Sequence, residues 1–277
     1  TIVGGTGGNT INAGDGLNSI TGGSGNDNIT TGAGNDTITG GAGNDIIAAG
    51  AGNNSIDGRA GTNDSITALG GNDTILGGTG NDVISAGYGS NSVDGGAGSS
   101  DTIDYTFLNA ANGSVSITAT GSVSFTGSAT GVTDTLTNIE VFVGTAQNDT
   151  MDMHLATGNL SLAGNGGSDS FIGGLGKDTI DGGSERDTVS YSYLNGTTQA
   201  VTLTMGASAT AFLASVSTSD QDRLINIENL SLTQYADSVN LGTASGDLSI
   251  TGQGGRDTIT GGFGNDTIDA SASASTE

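Results

Sequence analysis

The strongest constraint on this chain is a repeat whose true period is eighteen residues, made of two unlike halves of nine. From Gly4 to Asp104 a nine-residue phrase recurs, seen whole in Gly22-Gly23-Ser24-Gly25-Asn26-Asp27-Asn28-Ile29-Thr30. Glycine stands at positions two and four, Asp or Asn at six and an aliphatic residue at eight. Position one separates alternate copies. It is Gly4, Gly22, Gly40, Gly58, Gly77 and Gly95 in the odd copies, but Ala13, Thr31, Ala49, Ala68 and Ala86 in the even ones. Position six divides in the same way. Odd copies carry Asn9, Asp27, Asp45, Asp64, Asp82 and Asp101; even copies carry Asn18, Asp36, Asn54, Asp73 and Asn91. Two copies therefore make one physical unit with inequivalent ends.

Position eight is Ile11, Ile20, Ile29, Ile38, Ile47, Ile56, Ile66, Ile75, Ile84, Val93 and Ile103. β-Branched residues flanked by small polar ones suit a very short strand. The glycines before them suit a tight turn with positive φ. Strand-turn units at a short fixed period stack into a parallel solenoid, each aliphatic facing the partner strand of its own turn. Odd loops then line one edge and even loops the other. The copies Gly58 to Thr67 and Gly95 to Asp104 are one residue longer, and both are odd, so both bulges fall on one edge. The copy beginning Ala68-Leu69-Gly70-Gly71 shifts its glycine pair by one residue.

Composition agrees with a coil held by repetition. The 277 residues include 52 Gly, no Pro, Cys or Trp, and carry a net charge of −24. Few large apolar side chains exclude a thick globular core, while an aliphatic residue every nine positions argues against disorder. Without cysteine there is no disulfide staple, so a secreted chain needs another. No run approaches the roughly 20 apolar residues of a membrane span. Arg59, Lys177, Arg186, Arg223 and Arg256 are the only basic Lys or Arg side chains, which argues against nucleic acid and favours cations as partners.

A longer duplication follows Asp104. Asp134-Thr135-Leu136-Thr137-Asn138-Ile139-Glu140 answers Asp222-Arg223-Leu224-Ile225-Asn226-Ile227-Glu228, Asp149 answers Asp237, and Asp169 and Asp178 answer Asp257 and Asp266. Each pair is 88 residues apart. Two tandem units thus leave a glycine repeat, make an alternating excursion and return. Ser114 to Thr118 and Ala200 to Thr204 alternate as half-buried strands do, and are expected to widen the coil or add a hairpin. The expected organisation is a coil over 1–104, an excursion with repeats over 105–181, a second such unit over 182–270 and a tail or linker over 271–277. Thr1-Ile2-Val3 reads as positions seven to nine of a preceding copy, so the chain is expected to be a segment of a longer protein.

Position six carries the chemistry. Neighbouring parallel strands lie about 4.8 Å apart, so like carboxylates in successive turns are forced together. At that spacing two charges repel by roughly 3 kcal/mol at an effective dielectric near 20. A row of Asp27, Asp45, Asp64, Asp82 and Asp101 makes sense with a cation between turns. Carboxylates and loop carbonyls are the donors that hard Ca²⁺ takes, six to eight at a time. Mg²⁺ demands tighter geometry, and zinc wants His or Cys, of which the chain has only His154.

These residues resemble the glycine-aspartate nonapeptide of RTX proteins, a Ca²⁺-binding β-helix repeat. The resemblance covers 4–104, 164–190 and 252–269. It implies an all-β fold, a right-handed parallel β-roll or β-helix solenoid with two strand-rich insertions. It also implies several Ca²⁺ ions held between adjacent loops by position-six side chains and loop carbonyls. The implied ligands are Asp27, Asp36, Asp45, Asp64, Asp73, Asp82, Asp101, Asp169, Asp178, Asp187, Asp257 and Asp266, with the loops of Gly23, Gly25, Gly41, Gly43, Gly78 and Gly80. Asn9, Asn18, Asn54 and Asn91 depart from the pattern as neutral ligands, so the odd edge is expected to bind more tightly than the even edge. Asp169 and Asp187 are expected to share one edge. Members of this family are typically exported by a type I apparatus and fold in extracellular calcium.

The excursions with Asn138-Ile139-Glu140 resemble those of haemolysin-like and surface-layer RTX proteins. The expected role is structural and non-enzymatic: a secreted surface-layer, sheath or adhesin segment with calcium as folding trigger. Its expected partners are itself, in a lattice or filament, or a cell-surface glycan. The alternative is a folding or secretion module of a larger toxin, protease, lipase or epimerase. No nucleophile elbow or HExxH helix is present, and His154 has no triad partner in sequence. The Asn-Asp-Thr triplets at Asn35, Asn72, Asn148 and Asn265 match the glycosylation acceptor, but the repeat generates them automatically. Tyr88, Leu175 and Phe263 at position three are expected to point outward. Asn26, Asn35, Asn44, Asn53, Asn72 and Asn81 recur at position five, but an ice-binding array needs Thr at position three, where Ser24, Ala33, Ala42 and Ala51 stand.

Overall fold

The aliphatic ladder closes a flat coil of two facing parallel sheets, one contributed by each half of the repeat. The structure is a computed structural model that describes residues 1–111, 113–121, 124–196, 199–206, 211–217 and 220–270; the expected tail 271–277 lies outside them. It falls into two compact units, residues 1–143 and 144–277. That boundary follows the first excursion, whereas the 88-residue duplication groups residues differently.

In the first unit one sheet stacks Ile2–Thr6, Ser19–Ser24, Thr37–Ala42, Ser55–Ala60, Thr74–Thr79 and Ser92–Ala97. The facing sheet stacks Thr10–Gly14, Asn28–Thr31, Ile46–Ala48, Ser65–Thr67, Val83–Ser85, Thr102–Asp104 and Val141–Val143. The register keeps like positions together: Ile20 pairs with Ile38, and Ile29 with Ile47. Every position-eight aliphatic from Ile11 to Ile103 is buried. Each such burial stabilises by about 1.5–3 kcal/mol, so the thin core is a file of single side chains.

In the first unit strands such as Thr74–Thr79 run on through a position-one glycine for six residues, whereas Ile46–Ala48, Ser65–Thr67 and Val83–Ser85 stop before Ala49, Ala68 and Ala86. Thr10–Gly14 runs through Ala13, and in the second unit Ser161–Ala163 and Thr179–Asp181 stop before Gly164 and Gly182.

The excursions are antiparallel meanders spliced into the coil, and they enter different sheets. In the first unit Val132–Thr137 pairs parallel with Ser92–Ala97, then antiparallel with Ser124–Ala129, which pairs with Ser116–Ala119. That meander belongs to the sheet of six-residue strands. In the second unit one sheet runs Thr150–Asp152, Ser170–Ile172, Thr188–Ser190, Asn229–Ser231, Ser249–Thr251 and Thr267–Asp269. The other runs Ser161–Ala163, Thr179–Asp181, then the meander Asp220–Ile225, Ala211–Ser217 and Thr202–Met205, then Ser238–Asn240 and Thr258–Thr260. A short 3-10 turn opens each excursion, Thr106–Ala111 and Ser192–Gly196. Larger side chains, among them Phe142 and Phe171, fill the ladder near the excursions.

Candidate metal centre

Several loops of the first coil are bound to their neighbours by two side-chain oxygens that reach in opposite directions along the coil. At position six, Oδ1 accepts the backbone N–H of position six in the preceding turn. Asp45 Oδ1 takes the Asp27 N–H at 2.8 Å, Asp64 takes Asp45 at 2.7 Å, Asp82 takes Asp64 at 2.7 Å and Asp101 takes Asp82 at 2.8 Å. At position five the Asn oxygen accepts from the following turn. Asn26, Asn35, Asn44, Asn53, Asn72 and Asn81 each receive the N–H of residue 44, 53, 62, 72, 90 or 99 respectively. The recurrent asparagines therefore tie loop to loop.

The second oxygen of the position-six carboxylates has no such partner. Oδ2 of Asp27, Asp36, Asp45, Asp64, Asp73, Asp82, Asp101, Asp169, Asp178, Asp187 and Asp257 is buried with no hydrogen bond. These are eleven of the twelve aspartates singled out by the repeat; Asp266 differs because the Gly262 N–H donates to its Oδ2 at 2.8 Å. An unpartnered buried carboxylate oxygen is costly. Among the described residues the two ion pairs are Arg59 with Asp57 and His154 with Asp152, so neither serves the row. Burial, and behind it the neighbouring carboxylates, pushes Asp64 and Asp101 up to about 6 and Asp169 up to about 7. Burial likewise raises Asp45, Asp73 and Asp82, and carries Asp187 to about 6.

Position-one glycine makes room for this oxygen. A Cβ on Gly77 would stand 2.6 Å from Asp82 Oδ2 and closer still to the Gly95 carbonyl of the next turn, and one on Gly58 2.6 Å from Asp64 Oδ2 and closer still to the Gly77 carbonyl. The loop glycines Gly23, Gly25, Gly41, Gly43, Gly78 and Gly80 all have positive φ, between 99° and 127°. They also abut the loop backbone of the preceding turn: a Cβ on Gly25 would lie 2.7 Å from the Gly7 carbonyl carbon.

The asparagine copies show what the carboxylate copies lack. Asn9 Nδ2 donates to the Gly7 carbonyl at 2.6 Å, Asn54 Nδ2 to Gly52 at 3.0 Å, and Asn18 Nδ2 to Gly14 and Gly16 at 3.0 and 3.2 Å. Asn91 Nδ2 reaches the Gly87 carbonyl at 3.4 Å and Asp134 at 2.8 Å. An amide N–H₂ thus binds carbonyls of its own loop. Where the residue is Asp, an oxygen replaces that nitrogen, so acceptor faces acceptor. The donor set, a carboxylate oxygen with glycine carbonyls, fits a hard divalent cation. Such a cation, when bound, supplies the positive charge that the row itself lacks. Sequence reasoning treated these asparagines as neutral ligands, whereas their nitrogen faces the loop carbonyls.

The structure places the other expected residues as follows. Asp187 Oδ1 accepts the Asp169 N–H at 2.7 Å, so the two stack on one edge. Asp178 accepts the Leu160 N–H, Asp257 that of Asp237 and Asp266 that of Leu248. Among the described residues no three carboxylate, His or Cys side chains converge as a ready-made cage, so any ion takes much of its coordination from the backbone. Tyr88, Leu175 and Phe263 are exposed as expected, and His154 is bonded to Asp152 at the surface.

Several rungs escaped the sequence. Glu140 and Glu228 carry the row past each excursion, accepting the Asp101 N–H at 3.0 Å and the Asp187 N–H at 2.9 Å. Both lie in the duplicated Asn-Ile-Glu phrase, which was the available signal. Asp149 and Asp237 continue it too, but each has a threonine hydroxyl, Thr145 or Thr233, at 2.9 Å.

A family model described as the RTX calcium-binding nonapeptide repeat (four copies) matches residues 3–38, 30–64, 39–74, 67–101, 161–189 and 249–276, more than half of the chain. No curated protein matches the chain. Among solved structures, the chain is similar to the crystal structure of the extracellular lipase LipA from Serratia marcescens at 16% identity and a TM-score of 0.26. The match covers 71% of this chain and 38% of the lipase chain.

Proposed function

Because the chain belongs to the RTX family of calcium-binding nonapeptide repeats, we propose that it is an extracellular structural segment whose folding is driven by Ca²⁺. The observation that carries this reading is the row of eleven buried, unpartnered Oδ2 atoms. Stacked carboxylates without a counter-charge oppose the fold they belong to, so the fold needs cations. Position-six Asp side chains and carbonyls of the glycine loops would hold them. Sites of this extracellular kind bind in the range of about 10⁻⁴–10⁻³ M, so export into a calcium-rich medium sets when the chain folds.

The role is that of a surface layer, sheath or adhesin module, and the chain itself is not catalytic. The coil offers two long edges of like loops, a form suited to lattice or filament contacts. Circular dichroism with and without excess EGTA tests the folding claim: the sheet signal should collapse on chelation and return with calcium. An unchanged signal sinks the proposal. Electron microscopy after calcium addition tests assembly, with ordered sheets or filaments expected and dispersed monomers counting against a lattice role.

A further inference from the structure

The two excursions are built alike yet differ at two buried positions. In each, a strand with the same alternation of buried and exposed residues rejoins the coil beside a repeat strand, Val132–Thr137 in the first and Asp220–Ile225 in the second. The registers Ser92 with Thr135 and Thr179 with Arg223 set Asn91 against Asp134 and Asp178 against Asp222.

In the first excursion the arrangement is satisfied. Asp134 Oδ1 accepts the Asn91 side-chain N–H at 2.8 Å, and its Oδ2 accepts the Tyr105 hydroxyl at 2.9 Å. The next buried residue on that strand is Val132. In the second excursion Asp222 keeps its tyrosine, the Tyr191 hydroxyl at 2.8 Å, and accepts the Asp178 N–H at 3.1 Å. The amide, however, is replaced by the Asp178 carboxylate, and the valine by Asp220. Asp178 is 1% exposed and Asp220 6% exposed. Asp178 Oδ2 and both oxygens of Asp220 are buried without a partner.

Three buried carboxylates therefore share one place with no basic side chain acting on them. Burial first, and then the charge of its neighbours, carries Asp178 up to about 8; Asp222 reaches about 7 and Asp220 about 6. A cleft of about 350 Å³ reaches Asp220 from the surface, lined also by Thr157, Asn159, Gly176, Gln199 and Ser217.

We propose that Asp178, Asp220 and Asp222 form a further divalent-cation site of calcium type at the root of the second excursion, with no counterpart in the first. The inference rests on the reading that this chain takes up calcium, and it extends beyond the nonapeptide pattern by adding Asp220 and Asp222 from the excursion strand to the repeat residue Asp178. Asp220 supplies a carboxylate at the cleft, Asp178 turns its bare Oδ2 toward the same ion, and Asp222 is held by Tyr191. The three do not already form a closed cage, so binding draws the carboxylates inward.

Terbium luminescence tests this on the whole chain. The sequence has no Trp, so emission must be sensitised by tyrosine, and the Tyr191 hydroxyl lies against Asp222. Near neutral pH the tyrosine-excited emission should fall severalfold in Asp220→Asn, and the calcium stoichiometry by a single ion. Asp220→Val, which copies the first excursion, should do the same while keeping the sheet signal in calcium. Unchanged emission and stoichiometry in both variants overturn the proposal in favour of protons shared among the carboxylates. Asp45→Asn separates the two levels of argument. If it loses an ion while the Asp220 variants lose none, only this site fails; if the unaltered chain takes up no ion, the calcium reading fails with it.

Discussion

The two edges of the first coil solve the same stacking problem in opposite ways. On the odd edge five successive turns place carboxylates, Asp27 to Asp101, each with a bare buried Oδ2, and Glu140 takes the next rung. On the even edge Asp36 and Asp73 alternate with Asn18, Asn54 and Asn91, whose amides donate to carbonyls of their own loops. On the proposed calcium reading, the odd edge takes its positive charge from ions between turns. The even edge carries an internal donor at every second turn and so can close in part without an ion. Asparagine here is better understood as a covalent stand-in for the cation than as a weak ligand.

The largest expected effect uses position one. Gly77→Ala drives a methyl group against the Gly95 carbonyl of the next turn and toward Asp82 Oδ2, which a Cβ would approach to 2.6 Å. It should destabilise the calcium-bound coil by about 1–3 kcal/mol, as overpacking does, and abolish uptake of an ion at that turn. Ala49→Gly on the even edge removes only a buried methyl and should cost about 1 kcal/mol. Equal losses in thermal unfolding would erase the distinction between the edges.

Exchanges at position six come next. Asn54→Asp replaces an amide that bonds the Gly52 carbonyl with an acceptor, and should destabilise the calcium-free chain by about 1–3 kcal/mol while adding calcium dependence. In the reverse direction, Asp45→Asn should lose more calcium affinity than Asp36→Asn, because Asp45 lies between two carboxylates and Asp36 between two asparagines. Calorimetric calcium titration measures both. A greater or equal loss from Asp36→Asn breaks the comparison.

The smallest effect is the pH dependence of the ion-free state. Asp64 and Asp101 are raised to about 6 in the folded chain, against roughly 4 when unfolded. The folded state thus favours their protonated form. The stability this contributes is fully present below about pH 4 and is lost as pH rises through about 6. In calcium-stripped buffer the sheet signal should therefore be greater in mild acid than above neutrality. Joint Asp64→Asn and Asp101→Asn substitution should flatten the profile more than Asp73→Asn does. A profile that rises with pH in the unaltered chain contradicts the burial argument.

Much of this was legible in the sequence because the coil preserves spacing. The Ile ladder, the two-sided turn and the aspartates with bare oxygens all recur at eighteen or nineteen residues, so periodicity found them. The Gly and Ala alternation at position one tracked strand length over the middle of the first coil, where Thr74–Thr79 runs six residues and Ile46–Ala48 three, but not in the second unit. The rest was hidden where spacing fails. Asp101 meets Glu140 across 39 residues and Asp178 meets Asp222 across 44, because a meander of variable length intervenes. Hydrogen-bond direction was hidden as well. Sequence reasoning assigned the position-five asparagines no role, whereas their oxygens accept from the next turn, and residue type alone cannot say which atom of Asn54 faces the Gly52 carbonyl.

The opposed reach of the two side-chain oxygens gives damage a direction. Removing the Asp64 carboxylate strips an acceptor from the Asp45 N–H, not from Asp82, so the injury is felt one turn toward the amino terminus. Removing the Asn44 side chain strips Thr62 instead, one turn toward the carboxyl terminus. A single lesion therefore loosens one neighbour and spares the other. Two lesions at adjacent positions in one loop, such as Asn44 and Asp45, strip acceptors from both neighbouring turns at once, while the loop's own N–H groups still donate to Asn26 and Asp64.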